Sequence, residues 1–304
     1  MKIKHIISSK QFDKDFVSLI FKVADNVRNN KFDQKALSGK IMTTLFYEPS
    51  TRTRLSFESA MLRLGGSVIS TENAGEFSSA AKGETLEDTI RIVNSYCDII
   101  VLRHYTPGAS QIAANFSKIP IINAGDGNGE HPTQALLDLY TILSRIKDEK
   151  FTVAMVGDLL NGRTIHSLSF LLSLYPGIKI IFVSPKALSI PSELRDSLKT
   201  TKNSFYETDD LNAAFKEADV IYQTRIQKER FENKEEYDKY FGKFIIDKKA
   251  LGLIKPKSII LHPLPRVNEI SPEADTDPRA LYFEEAQNGL YIRIALLLYL
   301  FDKA

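Results

Sequence analysis

The stretch GKIMTTLFYEPSTRTRLSFESAMLRLGG, residues 39–66, contains an apolar run, a polar cluster and a second apolar pattern in direct succession. The apolar run from Gly39 to Tyr47 predicts a buried strand, and Pro49, which has no backbone N–H to donate, should end it. Apolar residues at helical spacing from Leu55 to Leu64 then predict a helix that two glycines terminate. The polar cluster, Ser50 to Arg54, therefore lies at a strand-to-helix junction.

The alternation of strand and helix patterns continues along the rest of the chain. Further strands are predicted at residues 98–102, 120–123, 152–156, 178–183, 220–224 and 258–261, and further helices at residues 12–23, 110–116, 132–146 and 283–300. Strands that alternate with helices form parallel sheets covered on both faces. A chain of 304 residues exceeds what one core usually serves. The predicted fold is therefore α/β, with two doubly wound parallel-sheet domains joined near residues 143–150.

The composition is that of a soluble globular protein and excludes several classes of function. The net charge is +2, from 40 basic and 38 acidic side chains, so no general attraction to nucleic acid or membrane is expected. The single cysteine, Cys97, cannot form an intramolecular disulfide, which favours a reducing cytoplasm. The N-terminus lacks the apolar core of a signal peptide, and the longest apolar run, Leu290 to Phe301, is too short to span a bilayer. A cytoplasmic protein without a membrane span is expected.

The polar cluster Ser50, Thr51, Arg52, Thr53 and Arg54 would lie at the N-terminus of the predicted helix. Free backbone N–H groups and the positive end of the helix dipole attract anions there, and arginine matches phosphate with two parallel hydrogen bonds. The alternative is ordinary: Ser50 caps the helix and the arginines are solvated. Because ligands of open parallel sheets bind beyond the carboxyl ends of strands, we favour a phosphate-type site.

Two other strand ends in this half offer more donors. Arg103 could join the same anion site, although taken alone a solvated arginine is the simpler interpretation. His131 and Gln134, in the glycine-rich stretch 123–134, are three residues apart and would share a helix face. The imidazole could donate to a carbonyl oxygen, or it could be a structurally bonded histidine at a capping turn. No second histidine or cysteine stands at a usable spacing, so no metal site is predicted.

Three strand ends in the second half carry a similar set of donors. Residues 157–164, GDLLNGRT, nearly match the nucleotide-binding pattern GxxxxGK[ST], but arginine replaces the lysine. A nucleotide-binding loop is therefore an alternative, whereas we favour Arg163 as a group that binds carboxylate or phosphate. Arg225 and Gln227 could grip a carboxylate. The two prolines of HPLPR, residues 262–266, fix a turn that either aims carbonyl oxygens at an amine or is simply rigid.

These donors include no evident nucleophile, because Cys97 precedes an apolar strand and no GxSxG motif is present. Such a site would bind anions, polarise a carbonyl and bring two substrates together, with phosphate as the leaving group. The motifs STRTR, HPTQ, GDLxxGRT, TRxQKER and HPLPRV occur in this order along nearly the whole chain. In these motifs the sequence resembles the catalytic chains of the aspartate carbamoyltransferase family.

The resemblance implies a reaction and a domain plan. The family transfers the carbamoyl group of carbamoyl phosphate to the amino group of L-aspartate, yielding N-carbamoyl-L-aspartate and phosphate in pyrimidine biosynthesis, without cofactor or catalytic metal. A carbamoyl-phosphate-binding domain is expected at residues 1–146, with the C-terminal helix, 284–304, packing back on it. An aspartate-binding domain is expected at residues 147–283, and the active site in the cleft between the two.

The resemblance also implies a role for each site residue. The phosphate is held by Ser50, Thr51, Arg52, Thr53 and Arg103; the carbamoyl oxygen is held and polarised by Thr53, Arg103 and His131, with Gln134 on the carbamoyl amide; the aspartate carboxylates are bound by Arg163, Arg225 and Gln227; and the backbone of Leu264 contacts the reacting groups. A loop that is mobile in the family lends Ser78 and Lys82 to the neighbouring subunit's site, where Lys82 contacts both substrates. The expected catalytic residues are Arg52, Thr53, Lys82, Arg103 and His131.

Shared sites imply a homotrimer as the smallest active unit. Many relatives with the TRxQKER motif assemble with a zinc-binding regulatory chain into a dodecamer under allosteric control, and the resemblance leaves that partner open. One departure bears on the closure of the two domains that the family undergoes. Leu160-Asn161 stands where many relatives have Lys-Tyr, so the family's usual closure contacts are not expected here.

Three other functions remain as rivals. The nearest is an ornithine-type carbamoyltransferase, which typically carries cysteine in the motif where this chain has HPLP. Arg163, Arg225 and Gln227 suit a dicarboxylate and so favour aspartate. The other two are a nucleotide-dependent phosphotransferase that uses residues 157–164 and a non-catalytic binding protein that retains the fold.

Overall fold

Strands and α-helices alternate along the residues that the computed structural model describes, which are 3–77, 79–226, 234–240 and 242–304. The strands are β1 (Ile41–Phe46), β2 (Ser67–Glu72), β3 (Ile99–His104), β4 (Ile121–Asp126), β5 (Thr152–Val156), β6 (Lys179–Val183), β7 (Ser204–Thr208), β8 (Val220–Gln223) and β9 (Ile259–Leu261). The α-helices are α1 (Lys14–Arg28), α2 (Thr51–Arg63), α3 (Ala74–Phe77), α4 (Leu86–Val93), α5 (Ala109–Phe116), α6 (Pro132–Arg145), α7 (Arg163–Ser173), α8 (Ser192–Lys199), α9 (Leu211–Glu217), α10 (Lys234–Asp238), α11 (Lys248–Leu253) and α12 (Tyr282–Leu300).

The first of two units comprises Met1–Leu137 and Gln287–Ala304. Its sheet is parallel, with strand order β2-β1-β3-β4. From β1 the chain moves outward to β2, and it then returns to the other side of β1 as β3. Connections therefore leave the neighbouring strands β1 and β3 in opposite directions, which makes this pair a topological switch point, the place where open parallel sheets bind ligands.

The second unit, Asp138–Ala286, repeats the principle with five parallel strands. Its strand order is β7-β6-β5-β8-β9. The chain moves outward from β5 through β6 to β7, returns to β8 beside β5, and continues to β9. The topological switch point of this sheet is therefore the pair β5 and β8.

Each sheet is packed by apolar side chains of its own unit. In the first unit Leu45 and Ile100, on neighbouring strands, pack with Ile90 of α4. In the second unit Ile221 packs with Phe215 of α9. Fully burying one such side chain contributes roughly 1.5–3 kcal/mol, so the sheets are firm supports for the loops at their carboxyl ends.

The structure confirms the predicted α/β fold with two parallel sheets, but the sequence patterns did not identify β2 and β7. Both lie at sheet edges and expose much of their length. These two strands contact one neighbour only and mix polar with apolar residues, so they lack the continuous apolar run of a central strand. No helix in the described part of the chain combines the length and apolar character that crossing a membrane requires.

Candidate functional site

The N-terminus of α2 follows β1 at the switch point of the first sheet. Ser50 is the N-cap residue, and its carbonyl oxygen accepts the first helical hydrogen bond from Arg54 N at 3.1 Å. Among the described residues its side chain makes no capping hydrogen bond. Thr51 and Arg52 are exposed and Thr53 is buried. First-turn amides, the Ser50 hydroxyl and the helix dipole thus present donors to an anion at one place.

The two arginines of the STRTR motif have different surroundings. Arg54 turns to the edge strand β2: its Nη2 lies 2.8 Å from Glu72 Oε2 and its Nη1 lies 3.1 Å from Ser70 Oγ. A longer contact of 3.4 Å joins Nη1 to Glu58. Arg54 therefore holds α2 against β2, and Arg52 is the exposed guanidinium of the motif.

Arg103 extends the donor set onto the neighbouring strand. It lies on β3 beside Phe46 of β1, and Tyr47 N donates to its carbonyl oxygen at 2.8 Å. Its Nη1 donates to Ala124 O on β4 at 3.2 Å, while its Nη2 lies 3.4 Å from Glu48 Oε2. The guanidinium is thus fixed across the carboxyl ends of β1, β3 and β4.

The adjacent His104 has a structural role. Its ring contacts the rings of Tyr47 and Tyr105, with centroid distances of 4.5 and 4.2 Å. Its Nδ1 accepts from Thr106 N at 2.9 Å, and burial lowers the pKa of His104. The imidazole is therefore neutral at neutral pH, with one nitrogen committed to the backbone.

The loop from β4 to α6 is held by the buried carboxylate of Asp126. Its Oδ1 accepts from Glu130 N at 2.8 Å and its Oδ2 from Gly108 N at 2.9 Å. Gly127 has φ +49°, and a Cβ there would lie 2.5 Å from Tyr105 O. Only glycine permits so close an approach of the two backbones. Gly127 and the carboxylate of Asp126 therefore fix the course of the loop together.

His131 and Gln134 stand at the end of this loop. The carbonyl oxygen of His131 accepts from Gln134 N at 3.0 Å and from Ala135 N at 3.1 Å, which makes His131 the N-cap residue of α6. His131 is 4% exposed and Gln134 is 8% exposed. Both follow β4, the neighbour of β3, so Arg52, Arg103 and His131 stand at the carboxyl ends of three adjacent strands.

The second unit places its predicted residues in the same relation to its sheet. Gly157 follows β5 with φ +123°, and a Cβ there would lie 2.4 Å from Thr224 O, just after β8. Thr224 N donates to Val156 O at 2.8 Å. The ends of β5 and β8 are therefore in close contact, and Arg163 and Arg225 leave the sheet from these two strands.

The loop 157–164 contains a negative charge, which does not suit a loop that binds nucleotide phosphates. The carboxylate of Asp158 is fully buried, and its Oδ1 accepts from Asn161 N at 3.0 Å. The Asn161 amide donates to the same carboxylate at 3.1 and 3.2 Å. A phosphate cradled by this loop would meet that negative charge. Arg163 begins α7 after the N-cap residue Gly162.

Leu264 follows β9, the neighbour of β8. It has φ +53°, and its peptide bond to Pro265 is cis. Its N–H donates to His262 Nδ1 at 2.7 Å, and His262 Nε2 lies 2.7 Å from Glu269 Oε1. Because Nδ1 accepts, the ring proton is on Nε2 and is donated to Glu269. The turn that carries Leu264 is therefore closed by one neutral imidazole.

Three predicted residues belong to neither strand-end set. Ser78 and Gln227 lie outside the described residues. Lys82 ends the short 3-10 helix Ser79–Lys82 and is exposed. Within the described chain, no group of three or more His, Cys, Asp or Glu side chains could hold a metal ion. Sequence patterns gave no reason to select Asp126 or Glu48, whose roles depend on contacts across strands.

Comparison with protein families gives two matches that together cover nearly the whole chain. Residues 4–144 match the model of the aspartate/ornithine carbamoyltransferase carbamoyl-P binding domain, and residues 149–300 match that of the Asp/Orn binding domain. The aspartate carbamoyltransferase, chloroplastic, of Arabidopsis thaliana is 54% identical over 301 residues, which are 97% of this chain and 77% of the relative.

Solved structures give the same result. The catalytic subunit of M. jannaschii aspartate transcarbamoylase has a TM-score of 0.90 and 47% identity, over 99% of this chain and 98% of that chain. The Trypanosoma cruzi aspartate transcarbamoylase in complex with N-(phosphonacetyl)-L-aspartic acid has a TM-score of 0.90 and 40% identity, over 97% of this chain and 95% of that chain.

Proposed function

We propose that this chain, which belongs to the aspartate/ornithine carbamoyltransferase family, transfers the carbamoyl group of carbamoyl phosphate to the amino group of L-aspartate. The products are N-carbamoyl-L-aspartate and phosphate, a step of pyrimidine biosynthesis. The observation that carries the proposal is the position of arginine at both topological switch points: Arg52 and Arg103 leave β1 and β3, and Arg163 and Arg225 leave β5 and β8.

The first unit supplies the site for carbamoyl phosphate. Its phosphate is bound by Ser50, Thr51, Arg52 and Thr53 at the N-terminus of α2 and by Arg103. These groups combine first-turn amides, hydroxyls and guanidinium groups, which are the donors that a phosphate dianion prefers. Gln134, which is buried, binds the carbamoyl NH₂ through its side-chain amide. The functional domain is proposed at residues 1–146 with 284–304, slightly more than the compact unit 1–137 with 287–304.

The second unit supplies the site for aspartate, and the functional domain is proposed at residues 147–283, slightly less than the compact unit 138–286. Arg163 and Arg225 bind its two carboxylates, and Gln227 adds an amide donor. Guanidinium groups pair with carboxylates through two parallel hydrogen bonds, whereas they would repel the ammonium group of an ornithine side chain. The carbonyl oxygen of Leu264 accepts from the amine that attacks.

The chemistry needs no covalent enzyme intermediate. The amine of aspartate forms a C–N bond to the carbamoyl carbon, and the C–O bond to phosphate breaks. Negative charge grows on the carbamoyl oxygen during attack, where Thr53, Arg103 and His131 donate hydrogen bonds; one such donor is typically worth about 10²–10³ in kcat. The departing phosphate accepts the amine proton. Holding both substrates in contact supplies much of the remaining acceleration.

An assay of both amino-acid substrates tests the proposal. Purified protein supplied with carbamoyl phosphate is expected to convert aspartate to carbamoyl aspartate, while ornithine gives no citrulline. Chromatography with radiolabelled carbamoyl phosphate measures both products in one reaction. Citrulline formation would establish the ornithine-type activity instead, and tight substrate binding without turnover would support a binding protein.

Arg225→Ala is expected to raise KM for aspartate roughly 10- to 100-fold, because each charge-assisted hydrogen bond contributes about 1.5–3 kcal/mol. The KM for carbamoyl phosphate should change little. Arg195→Ala is the matched control, since that guanidinium pairs with Glu207 on the surface of the same unit. Steady-state kinetics of both variants decide: an unchanged KM for aspartate in Arg225→Ala would place the aspartate site elsewhere.

We further propose that the chain acts as a homotrimer in which Ser78 and Lys82 complete the neighbouring subunit's site. Exposed apolar side chains on α2 and the edge strand β2 support an interface there: Leu55 is 51% exposed, Leu62 is 59% exposed and Ile69 is 47% exposed. Exposed apolar residues beside an uncovered sheet edge are typical of interaction surfaces. Lys82, exposed and close in sequence to β2, is available to a neighbouring subunit.

Two further predictions concern a partner chain and the cellular compartment. A zinc-binding regulatory chain would raise the trimer to a dodecamer under allosteric control, and size determination of the native complex would reveal it. We expect a reducing compartment because the chain has one cysteine, the half-buried Cys97. Burial also raises the pKa of the Cys97 thiol. The cytoplasm is our prediction, and plant relatives named chloroplastic show that another compartment is compatible with this family.

A further inference from the structure

Two buried carboxyl groups of the second unit, on α6 and α12, are connected to the turn that carries Leu264. Asp138 is fully buried and Glu285 is 1% exposed. The hydroxyl of Tyr222 donates to Asp138 Oδ2 at 2.7 Å, and the backbone N–H of His262 donates to Glu285 Oε2 at 2.8 Å. Two carboxylates in such surroundings do not both stay ionised, because each raises the cost of charging the other.

The surroundings favour Glu285 as the member that carries the proton. Among the described residues the buried Oε1 of Glu285 accepts no hydrogen bond. The carboxyl group that acts on Glu285 is that of Asp138, which already accepts from Tyr222. Two buried carboxyl groups that act on each other hold one proton between them, and Glu285 can supply it. Burial, and then the charge of Asp138, raises the pKa of Glu285 well above its usual range.

Hydrogen bonds connect this proton to the proposed aspartate site. Glu285 fixes the backbone N–H of His262, and the ring of the same histidine accepts from Leu264 N at 2.7 Å. On its other side the ring bonds to Glu269 at 2.7 Å. Burial alone would raise the pKa of Glu269, but bonds from His262 and the backbone hold it below its usual value. Glu269 is therefore ionised at one end of this series of hydrogen bonds, and Glu285 is protonated at the other end.

We propose that the proton shared by Glu285 and Asp138 positions the Leu264 turn for aspartate, so that Glu285 is a positioning residue whose ionisation weakens aspartate binding. This inference rests on the proposed function, because it assumes that Leu264 contacts the attacking amine. When Glu285 loses its proton, two buried negative charges face each other. Their repulsion displaces the oxygen that holds His262, and the turn loses its alignment.

The other charged or titratable groups around the pair do not replace the proton. Tyr222 of β8 stays a neutral donor, because burial and the charge of Asp138 raise its pKa well above the usual value. The neutral ring of His262 is committed to Leu264 and Glu269. Glu284, next to Glu285 on α12, pairs with Arg145 instead. No cation in the described residues is seen bonded to Glu285.

The shared proton also makes the stability of the folded state depend on pH. A glutamic acid whose pKa is raised on folding stabilises the folded state most at pH values below its unfolded pKa, and this contribution is lost as pH rises towards the folded pKa. Glu285→Gln removes the effect, because the amide can donate to Asp138 and accept from His262 at every pH. The melting temperature of this variant should therefore exceed that of the wild type by a margin that grows as pH rises.

The test compares the wild type with Glu285→Gln and with the control Glu284→Gln. Difference infrared spectroscopy of the wild-type protein near neutral pH is expected to show a protonated carboxyl band that disappears in Glu285→Gln and persists in Glu284→Gln. In kinetic assays KM for aspartate should rise at alkaline pH in the wild type and in the control. In Glu285→Gln that rise should be reduced at least about threefold, with kcat near neutral pH unchanged.

Two results would overturn the inference. One is a wild-type spectrum without a band that depends on Glu285, which would mean that the pair holds no proton. The other is a band with the expected behaviour but identical pH profiles of KM in all three proteins, which would make the pair purely structural. The infrared and melting experiments need no turnover, so a failure of the proposed function would appear separately, as absence of carbamoyl aspartate from the wild type.

Discussion

Replacement of Arg52 by alanine is expected to lower kcat about 100- to 1000-fold, with a matching loss of affinity for carbamoyl phosphate. The exposed guanidinium lies in the first turn of α2, where it adds charge to free amides and to the Ser50 hydroxyl. Phosphate is both the group that anchors the substrate and the group that leaves. In the proposed site the charge of Arg52 contributes to binding and also to departure, so its removal should have a larger effect than loss of an ordinary surface cation.

Arg54→Ala is the matched control for this prediction. It removes a guanidinium from the same motif, two residues away, but one that pairs with Glu72 at 2.8 Å and contacts Ser70 on β2. We expect kcat within about threefold of the wild type and a loss of about 1 kcal/mol in stability, since the pair is partly exposed. Steady-state kinetics and isothermal titration with carbamoyl phosphate compare the two variants. Equal kinetic losses in both would mean that the motif acts only through α2 packing.

Mixtures of two inactive variants are expected to regain activity. Lys82→Ala should be inactive alone because every shared site then lacks its lysine, and Arg52→Ala should be nearly inactive for the reason above. In a trimer made from both, a site is intact where a subunit with Arg52 adjoins one with Lys82. Random mixing of equal amounts gives this combination at about one quarter of the sites, because each ring interface pairs one copy of each surface.

The measurement is carbamoyl aspartate formation after the two variants are dissociated together, mixed and reassembled. Each variant taken through the procedure alone is the control, as is the wild type, whose recovered activity sets the scale. Analytical ultracentrifugation of the mixture confirms the trimer. Recovery near one quarter of the wild-type value supports shared sites. Activity no higher than the two controls, from a mixture of correct mass, would show that each chain completes its own site.

The sequence predicted those strands whose burial requires a run of apolar residues. The central strands β1, β3, β5, β6 and β8 are short apolar runs, because each contacts strands on both edges and is covered on both faces. The edge strands β2 and β7 read SVISTE and SFYET, in which polar and apolar residues mix. Such segments become strands through pairing with β1 and β6, and nothing local distinguishes them from loops.

The site was predictable to the extent that its residues follow strand ends. Arg52 and Arg103 stood at predicted strand ends, and the strand order later showed that these strands are neighbours. Sequence alone did not separate Arg52 from Arg54, since the pairing of Arg54 depends on Glu72 of a strand that the pattern missed. It also gave no sign of the Asp138–Glu285 pair, whose members are far apart in the chain and meet only through tertiary packing.

The most direct test of the central claim is a crystal structure of this protein with N-(phosphonacetyl)-L-aspartic acid. The claim is that the strand-end donors of both sheets bind one pair of substrates. The expected result is one inhibitor molecule whose phosphonate oxygens bond to Ser50, Arg52 and Arg103, and whose carboxylates bond to Arg163 and Arg225. Density for the inhibitor at another place, or its absence at saturating concentration with these guanidinium groups directed into solvent, would contradict the claim.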